Sequence, residues 1–310
     1  MYHRVDDPPW DPWGLAVPPA RFREQIAALK KHRVLVSMED LATGLATGAL
    51  PPRAAALTFD DGYADNALLA KPILEELDAP ATFFVTTGFV RSGQRFWWDR
   101  LAESVLAGTA AAEFECAGVQ CAWPQQHRLP GDLARWRIGH PATDPRRLAY
   151  AALWRALQPM TEEEREAALM RVAKLVGTAP PLAHDRLAGP MTPEMVKDAC
   201  SDMIAIGVHG RSHVPLTALP VATRRAELEE ARAEVAALTG RDPPDGLAYP
   251  HGSHDEETRR LAAAAGYRWA VTSRSARVDP RRYDLLALPR LDPGRRSAGA
   301  LRLSLHAAAG

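Results

Sequence analysis

The sequence predicts an α/β protein: a (β/α) barrel, distorted or incomplete, that carries a mostly helical insertion. Three observations predict it. Short apolar, β-branched runs recur along the chain, stretches with helical spacing lie between them, and the alternation breaks once, between about residues 95 and 189. Continuous apolar runs of this length suit strands buried on both faces, as in a parallel sheet.

In order, the strand candidates are Tyr2–Val5, Val34–Ser37, Ala54–Phe59, Ala81–Thr86, Met203–Val208, Gly246–Tyr249, Tyr267–Thr272 and Leu285–Pro289. Eight candidates suggest a barrel, distorted or incomplete. Helices fit between them. Phe22, Ile26 and Leu29 follow helical spacing after Pro18-Pro19, and Leu68, Leu69, Ile73, Leu74 and Leu77 do so after Asp65. Leu228, Ala231, Val235 and Leu238 form one apolar stripe that stops at Gly240, where a left-handed residue closes a helix without steric cost. Asp255 to Ala265 reads as another helix, closed by Gly266.

The barrel is assigned residues 1–94 and 190–310, and the insertion residues 95–189. The insertion holds Trp97, Trp98, Trp123, Trp136 and Trp154, with helical patches such as Glu162–Leu175. Trp123, Trp136 and Trp154 read as packing. For Trp97 and Trp98, packing and stacking on a sugar face both stay open.

Hydrophobic residues make up 46% and charged residues 25%, as in an ordinary globular chain. Lys+Arg and Asp+Glu both count 38, so no nucleic-acid partner is expected. No apolar run reaches the roughly 18 residues of a membrane span. Met1-Tyr2-His3-Arg4-Val5 does not read as a signal peptide, which points to a cytoplasmic enzyme unless a leader precedes this sequence. Cys116, Cys121 and Cys200 make no disulfide framework, and nothing near Cys116 and Cys121 completes a metal site. Oligomeric state is left open.

Two motifs carry chemistry. The first is Thr58-Phe59-Asp60-Asp61-Gly62-Tyr63 at a strand end. Adjacent carboxylates there point in different directions, so one can bind a metal while the other takes a proton from water. The plain alternative is a turn, with Gly62 as its pivot and Asp65 as a helix cap. The second is His209-Gly210-Arg211-Ser212-His213, after the strand Met203–Val208. Histidines at i and i+4 share a face of a helical turn and can both reach one metal. Two exposed loop histidines are the alternative. Taken together, two histidines and one aspartate leave coordination positions open, which is the pattern of a catalytic metal.

These motifs resemble the first two of the polysaccharide deacetylases, the NodB-homology or family 4 carbohydrate esterases. Tyr249-Pro250-His251-Gly252 resembles the third, Trp269 the tryptophan of the fourth, and Leu288-Pro289-Arg290 lies where the fifth is expected. Tyr2-His3-Arg4-Val5 and Phe96-Trp97-Trp98-Asp99 are similar to exopolysaccharide-linked bacterial members.

The resemblance implies a distorted (β/α) barrel of NodB type and hydrolysis of N-acetyl groups on an amino-sugar carbohydrate. It implies a divalent metal, Zn²⁺ by ligand type, with Co²⁺ or another divalent ion as the alternative, held by Asp61, His209 and His213. Asp60 would be the base. The backbone N–H of His251 would stabilise the oxyanion, and Tyr63, Tyr249, Pro250 and Trp269 would line the substrate site.

Two positions depart from the family pattern. Ala248 stands where an arginine is common, and Arg290 stands where a histidine acid is expected. Arginine stays protonated and cannot serve as that acid. The paired departure suggests that Arg290 pairs with Asp60 and that another histidine is the acid: His251 first, then His3, with His254 also a candidate. The rival functions are an O-acetyl esterase, a small-molecule N-deacylase, and a catalytically silent glycan-binding module.

Overall fold

Ten strands are defined among the described residues of the computed structural model: β1 (Val34–Leu35), β2 (Ala54–Ala55), β3 (Leu57–Phe59), β4 (Ala81–Val85), β5 (Ala112–Cys116), β6 (Val119–Trp123), β7 (Ile204–Val208), β8 (Gly246–Ala248), β9 (Trp269–Ser275) and β10 (Leu288–Arg290). The helices are α1 (Pro19–His32), α2 (Met38–Thr47), α3 (Lys71–Glu76), α4 (Thr87–Ser92), α5 (Trp97–Leu106), α6 (Pro145–Leu157), α7 (Glu162–Val176), α8 (Asp185–Ala188), α9 (Pro193–Ala199), α10 (Val221–Thr239) and α11 (Glu256–Ala264). The structure describes residues 1–107, 110–125, 136–142, 144–177 and 185–301. His127, His184 and His306, which belong to none of the motifs, lie outside them. Two compact units result: Met1–Asp7 with Ala16–Gln94 and Gly189–Gly310, and Pro8–Leu15 with Arg95–Ala188.

The first unit is built on a six-stranded sheet in the order β10-β9-β8-β7-β4-β3. Every neighbouring pair is parallel. All five residues of β4 are buried, as expected for a strand covered on both faces. α1 packs Phe22 and Ile26 into the core, α10 packs Leu228, Ala231 and Val235, and α11 packs Leu261 and Ala262. Burying each large apolar side chain contributes about 1.5–3 kcal/mol. Local signals fix the helix ends: Ser37 accepts the Asp40 N–H, Asp255 accepts the Thr258 N–H, and Gly48 and Gly240 close α2 and α10 at positive φ.

The sheet is a curled half-barrel, in keeping with the distorted or incomplete barrel expected, and among the described residues its six strands are fewer than the eight candidates. Tyr2–Val5 makes only the isolated bridges Tyr2↔Phe59 and Arg4↔Ala16, because Arg4 turns into a buried cluster with Asp6 and Asp65. Val34–Leu35 pairs with Ala54–Ala55 outside the main sheet, and Ser37 ends that strand by capping α2. Leu285–Ala287 is a 3₁₀ turn that leaves only Leu288–Arg290 as strand. A cavity of about 480 Å³, lined by Tyr2, Leu57, Thr58, Leu288 and Arg290 among others, lies between the edges of β3 and β10.

The second unit packs α5, α6 and α7, but it is not purely helical. β5 and β6 form an antiparallel hairpin that turns through Ala117 and Gly118 at φ 54° and 73°. Residues Pro8–Leu15, read as part of the barrel, belong to this unit. Trp13 explains why: its ring lies 4.3 Å from that of Trp154, and its Nε1–H donates to the Tyr150 hydroxyl. Trp97 stacks on Trp154 and Trp98 on Phe96, both 5% exposed, so these rings pack a core. Cys116 and Cys121 are buried, and burial raises both thiol pKa values. No helix among the described residues is long and apolar enough to cross a membrane.

Candidate active site

The site forms where the strands of the first unit end. Asp60 and Asp61 follow β3, His209 follows β7, His251 follows β8, and Arg290 closes β10. C-terminal strand ends are where parallel α/β folds build sites, because the connecting loops converge there. The turn after β3 passes through left-handed backbone at Asp61 (φ 74°) and Gly62 (φ 83°). A side chain on Gly62 would stand 3.1 Å from Val85, so glycine is needed for space as well as for conformation. The Asp61 carbonyl accepts the Thr86 N–H, and the Gly62 carbonyl accepts the Met191 N–H. Asp65 does not cap the following helix. It accepts the Val5 N–H and the Arg4 guanidinium, while Asn66 donates to the His3 carbonyl, so the pair ties down the N-terminal segment.

His209 and His213 are not on a helical turn. The segment between them is a loop, left-handed at Gly210 (φ 71°) and His213 (φ 54°). Their Nε2 atoms nonetheless converge on Asp61 Oδ1, at 3.3 Å from His209 and 3.1 Å from His213. His209 Nδ1 lies 2.8 Å from the Ala248 carbonyl. That contact assigns the proton to Nδ1 and turns a bare Nε2 toward the centre.

These three residues fit a divalent cation. Their ligand atoms all lie within 4.8 Å of one another, and all three residues are buried. Two bonds of about 2.0–2.1 Å at a tetrahedral angle separate their ligand atoms by roughly 3.3 Å, the spacing seen here. Burial opposes charge on Asp61, yet its hydrogen bonds to His209 and His213 hold it well below the usual carboxylate range. Burial likewise lowers the pKa of His213, which favours the neutral imidazole a metal needs.

Beside this trio, Arg290 clamps Asp60 with two parallel bonds, Nη1 to Oδ1 at 2.7 Å and Nη2 to Oδ2 at 2.5 Å. Its Nε–H donates to the Thr272 carbonyl, and Nη1 also reaches the Thr58 hydroxyl. Burial pushes the Asp60 pKa up, but Arg290 and His209 outweigh it and hold the carboxyl down to about 2.

The remaining candidates divide. His3 is close enough for its charge to act on both Asp60 and Asp61. His251, at φ 57°, sets its ring 4.5 Å from that of His213. Although part of the residue is open to solvent, desolvation and the charge of His213 push its pKa down to about 3. Pro250 closes over Gly210, 3.2 Å from where a Cβ would stand.

Three residues read as lining the site are packed elsewhere. Trp269 opens β9, at the opposite end of the strand from the site. Its ring fills the space above Gly246, and its Nε1–H donates to Glu39. Tyr249 is 1% exposed and gives its hydroxyl to the Leu286 carbonyl. Tyr63 is fully buried beneath the Arg4 guanidinium. His254 stacks on Tyr249 with its Nδ1 against the Gly252 carbonyl.

Sequence reasoning missed Glu227 and Gly88, which hold the His209–His213 loop. The Gly88 N–H donates to the Arg211 carbonyl, and a Cβ on Gly88 would lie 2.4 Å from that oxygen. Neither belongs to a motif.

Solved structures share this architecture at low identity. IcaB from Ammonifex degensii is 16% identical with a TM-score of 0.60, over 100% of this chain and 95% of that one. The deacetylase PplD from Streptococcus pyogenes is 17% identical with a TM-score of 0.59, over 93% and 87%. A de-N-acetylase from Aggregatibacter actinomycetemcomitans is 14% identical with a TM-score of 0.53, over 94% and 92%. No curated protein matches the sequence. The family model for polysaccharide deacetylase matches residues 47–113 and 151–270, stretches that contain Asp60, Asp61, His209, His213 and His251 but neither His3 nor Arg290. Since that match spans more than half of the chain, the protein belongs to the polysaccharide deacetylase family, whose chemistry is the hydrolysis of acetyl groups on carbohydrate.

Proposed function

We propose that the protein removes N-acetyl groups from an amino-sugar-containing polysaccharide or oligosaccharide, using one divalent cation, Zn²⁺ by donor type, held by Asp61, His209 and His213. The observation that carries this reading is a buried, ionised Asp60 clamped by Arg290 next to a converging Asp-His-His group. The cation supplies Lewis-acid polarisation of the acetyl carbonyl and a lowered pKa for water.

The protein's own residues do the rest. Arg290 occupies one lone pair on each Asp60 oxygen, which leaves the others to accept the proton of the attacking water. As the C–N bond breaks, the leaving nitrogen needs a proton, because an amide anion is a poor leaving group. Arg290 cannot provide it. A nearby histidine must provide it: the candidates are His251, whose ring lies 4.5 Å from that of His213, and His3, whose segment Asp65 and Asn66 fix in place. The products are acetate and a free amine.

Acetate release from N-acetylglucosamine oligomers by the metal-loaded protein tests this. Release only from O-acetylated sugars would replace the amide reading with an esterase. Arg290 at the place of the expected acid favours one further reading, a silent glycan-binding module. Carbohydrate binding with no acetate released from any substrate would establish it.

A further inference from the structure

The loop carrying His209 and His213 has no regular structure to hold it, and it passes twice through left-handed backbone. Its shape must therefore be imposed from outside. One side is fixed by the start of α4, where Thr87 and Gly88 donate their N–H groups to the carbonyls of Gly210 and Arg211 at 3.2 Å and 2.9 Å. The other side is fixed by a single carboxylate. Glu227 Oε2 accepts the N–H groups of Arg211 and Ser212 at 2.9 Å and 3.2 Å, and Oε1 accepts the Ser212 hydroxyl at 2.6 Å.

All three donors come from the two residues next to His213 on the side facing His209. Glu230 and Glu234 share the α10 face with Glu227, but they engage the Arg211 guanidinium, at 3.1 Å and 3.5 Å, and not the loop backbone. Of these three carboxylates, Glu227 is the one that grips the main chain. Hydrogen bonds to an ionised acceptor are about twice as strong as neutral ones, so this contact governs the loop more than its surface position suggests.

We infer that Glu227 is a positioning residue for the metal site: by pinning Arg211 and Ser212 it sets how His209 and His213 meet Asp61, and so sets the affinity for the cation. The inference rests on the reading of Asp61, His209 and His213 as the ligands. Glu227 does not touch the ligand atoms, so its effect should appear in metal affinity and coordination geometry and not in overall folding.

The test titrates Zn²⁺ into the metal-free full chain by calorimetry, for the wild type, Glu227→Ala, Glu227→Gln and Ser212→Ala. Co²⁺ spectra and melting of the metal-free forms accompany it. Glu227→Ala should weaken Zn²⁺ binding about 10–100-fold, the range seen when groups that orient metal ligands are removed. Its Co²⁺ spectrum should change while metal-free melting stays within a few degrees of the wild type. Glu227→Gln should recover most of the affinity, since its amide oxygen still accepts both N–H groups. Ser212→Ala, which removes one of the three bonds, should fall between.

Wild-type Zn²⁺ affinity in Glu227→Ala would overturn the inference. Should that variant fail to fold, wild-type affinity in Ser212→Ala overturns it instead. If the wild-type protein itself binds no Zn²⁺ or Co²⁺, the ligand assignment falls first and takes this inference with it. If only the Glu227 and Ser212 variants behave as the wild type does, the ligand assignment stands without it.

Discussion

Arg290 meets Asp60 edge to edge, with one guanidinium nitrogen on each carboxylate oxygen. Both side chains are buried, at 6% and 4% exposure, so the pair is shielded from solvent screening. The carboxylate is held in one plane and kept charged, which is what a base requires before it has done any chemistry.

Removing the guanidinium should therefore change the charge on Asp60. In Arg290→Ala, burial is left opposed chiefly by His209 and His3, and the Asp60 pKa should rise by more than a unit from about 2. Carboxyl-carbon NMR titration of the metal-free protein reads this directly, and an unmoved Asp60 resonance would refute it. The orphaned charge should also cost about 3–5 kcal/mol of stability.

The same pair gives the wild type an acid-side pH dependence. The folded-state pKa of Asp60 lies below its ordinary value of 3.8. A depressed carboxyl stabilises the fold above the unfolded-state pKa, and that stabilisation is lost as pH falls through the folded one. On the order of 2 kcal/mol should disappear between about pH 4 and pH 2. Denaturant melts across that range would show whether Arg290→Ala lacks this component.

The two adjacent aspartates should separate cleanly. Asp60→Asn should retain metal and lose about 10²–10⁴-fold in acetate release, the usual worth of a general base. Asp61→Asn should weaken metal binding itself. Metal content and turnover measured on the same preparations decide the matter; wild-type turnover in Asp60→Asn would remove Asp60 from the base role.

For the ligands, His209→Ala and His213→Ala should each abolish stoichiometric metal. Chelator treatment of the wild type should stop acetate release, and Zn²⁺ or Co²⁺ should restore it. Full metal retention in the His209→Ala/His213→Ala double variant is the result that sinks the trio.

Away from the site, Arg224 is a structural tie. Buried at 6% exposure, it reaches both oxygens of Asp255, the Thr258 hydroxyl and the carbonyls of Thr217 and Leu219. Arg224→Ala should cost about 2–3 kcal/mol by removing the hydrogen bonds of this buried guanidinium, one of them to a charged carboxylate. Asp255→Ala should cost about 1 kcal/mol, the typical worth of a helix cap. Thermal melts of the two variants, in that order of severity, check the assignment.

The parts legible in sequence share one property: their signal is local. Ala81–Val85 reads as a buried strand because every residue is apolar or threonine, and Asp60-Asp61 and the paired histidines announce themselves by residue type and spacing. Three things escaped because their cause is not local. The hairpin Ala112–Trp123 buries only alternate residues, Phe114 and Cys116 against Cys121 and Trp123, and this faint alternation is flanked by helices. Trp269 was placed at the wrong end of its strand, since a tryptophan beside a strand does not say which end faces the ligand. Glu227 acts on backbone N–H groups, which every residue but proline carries, so no side-chain pattern can mark its target.

The path between His209 and His213 has a consequence for anyone who would move this site. Spaced as if on a helix, the two imidazoles are in fact aimed by a main chain that bends twice through conformations most residues avoid. A template that searches helix faces for such a pair would pass over it. A designer who copied Asp61, His209 and His213 onto an ideal helical scaffold would carry over three side chains and leave the aim behind. The smallest portable unit comprises three parallel strand ends, the glycine at 210, and a carboxylate reaching in from a neighbouring helix.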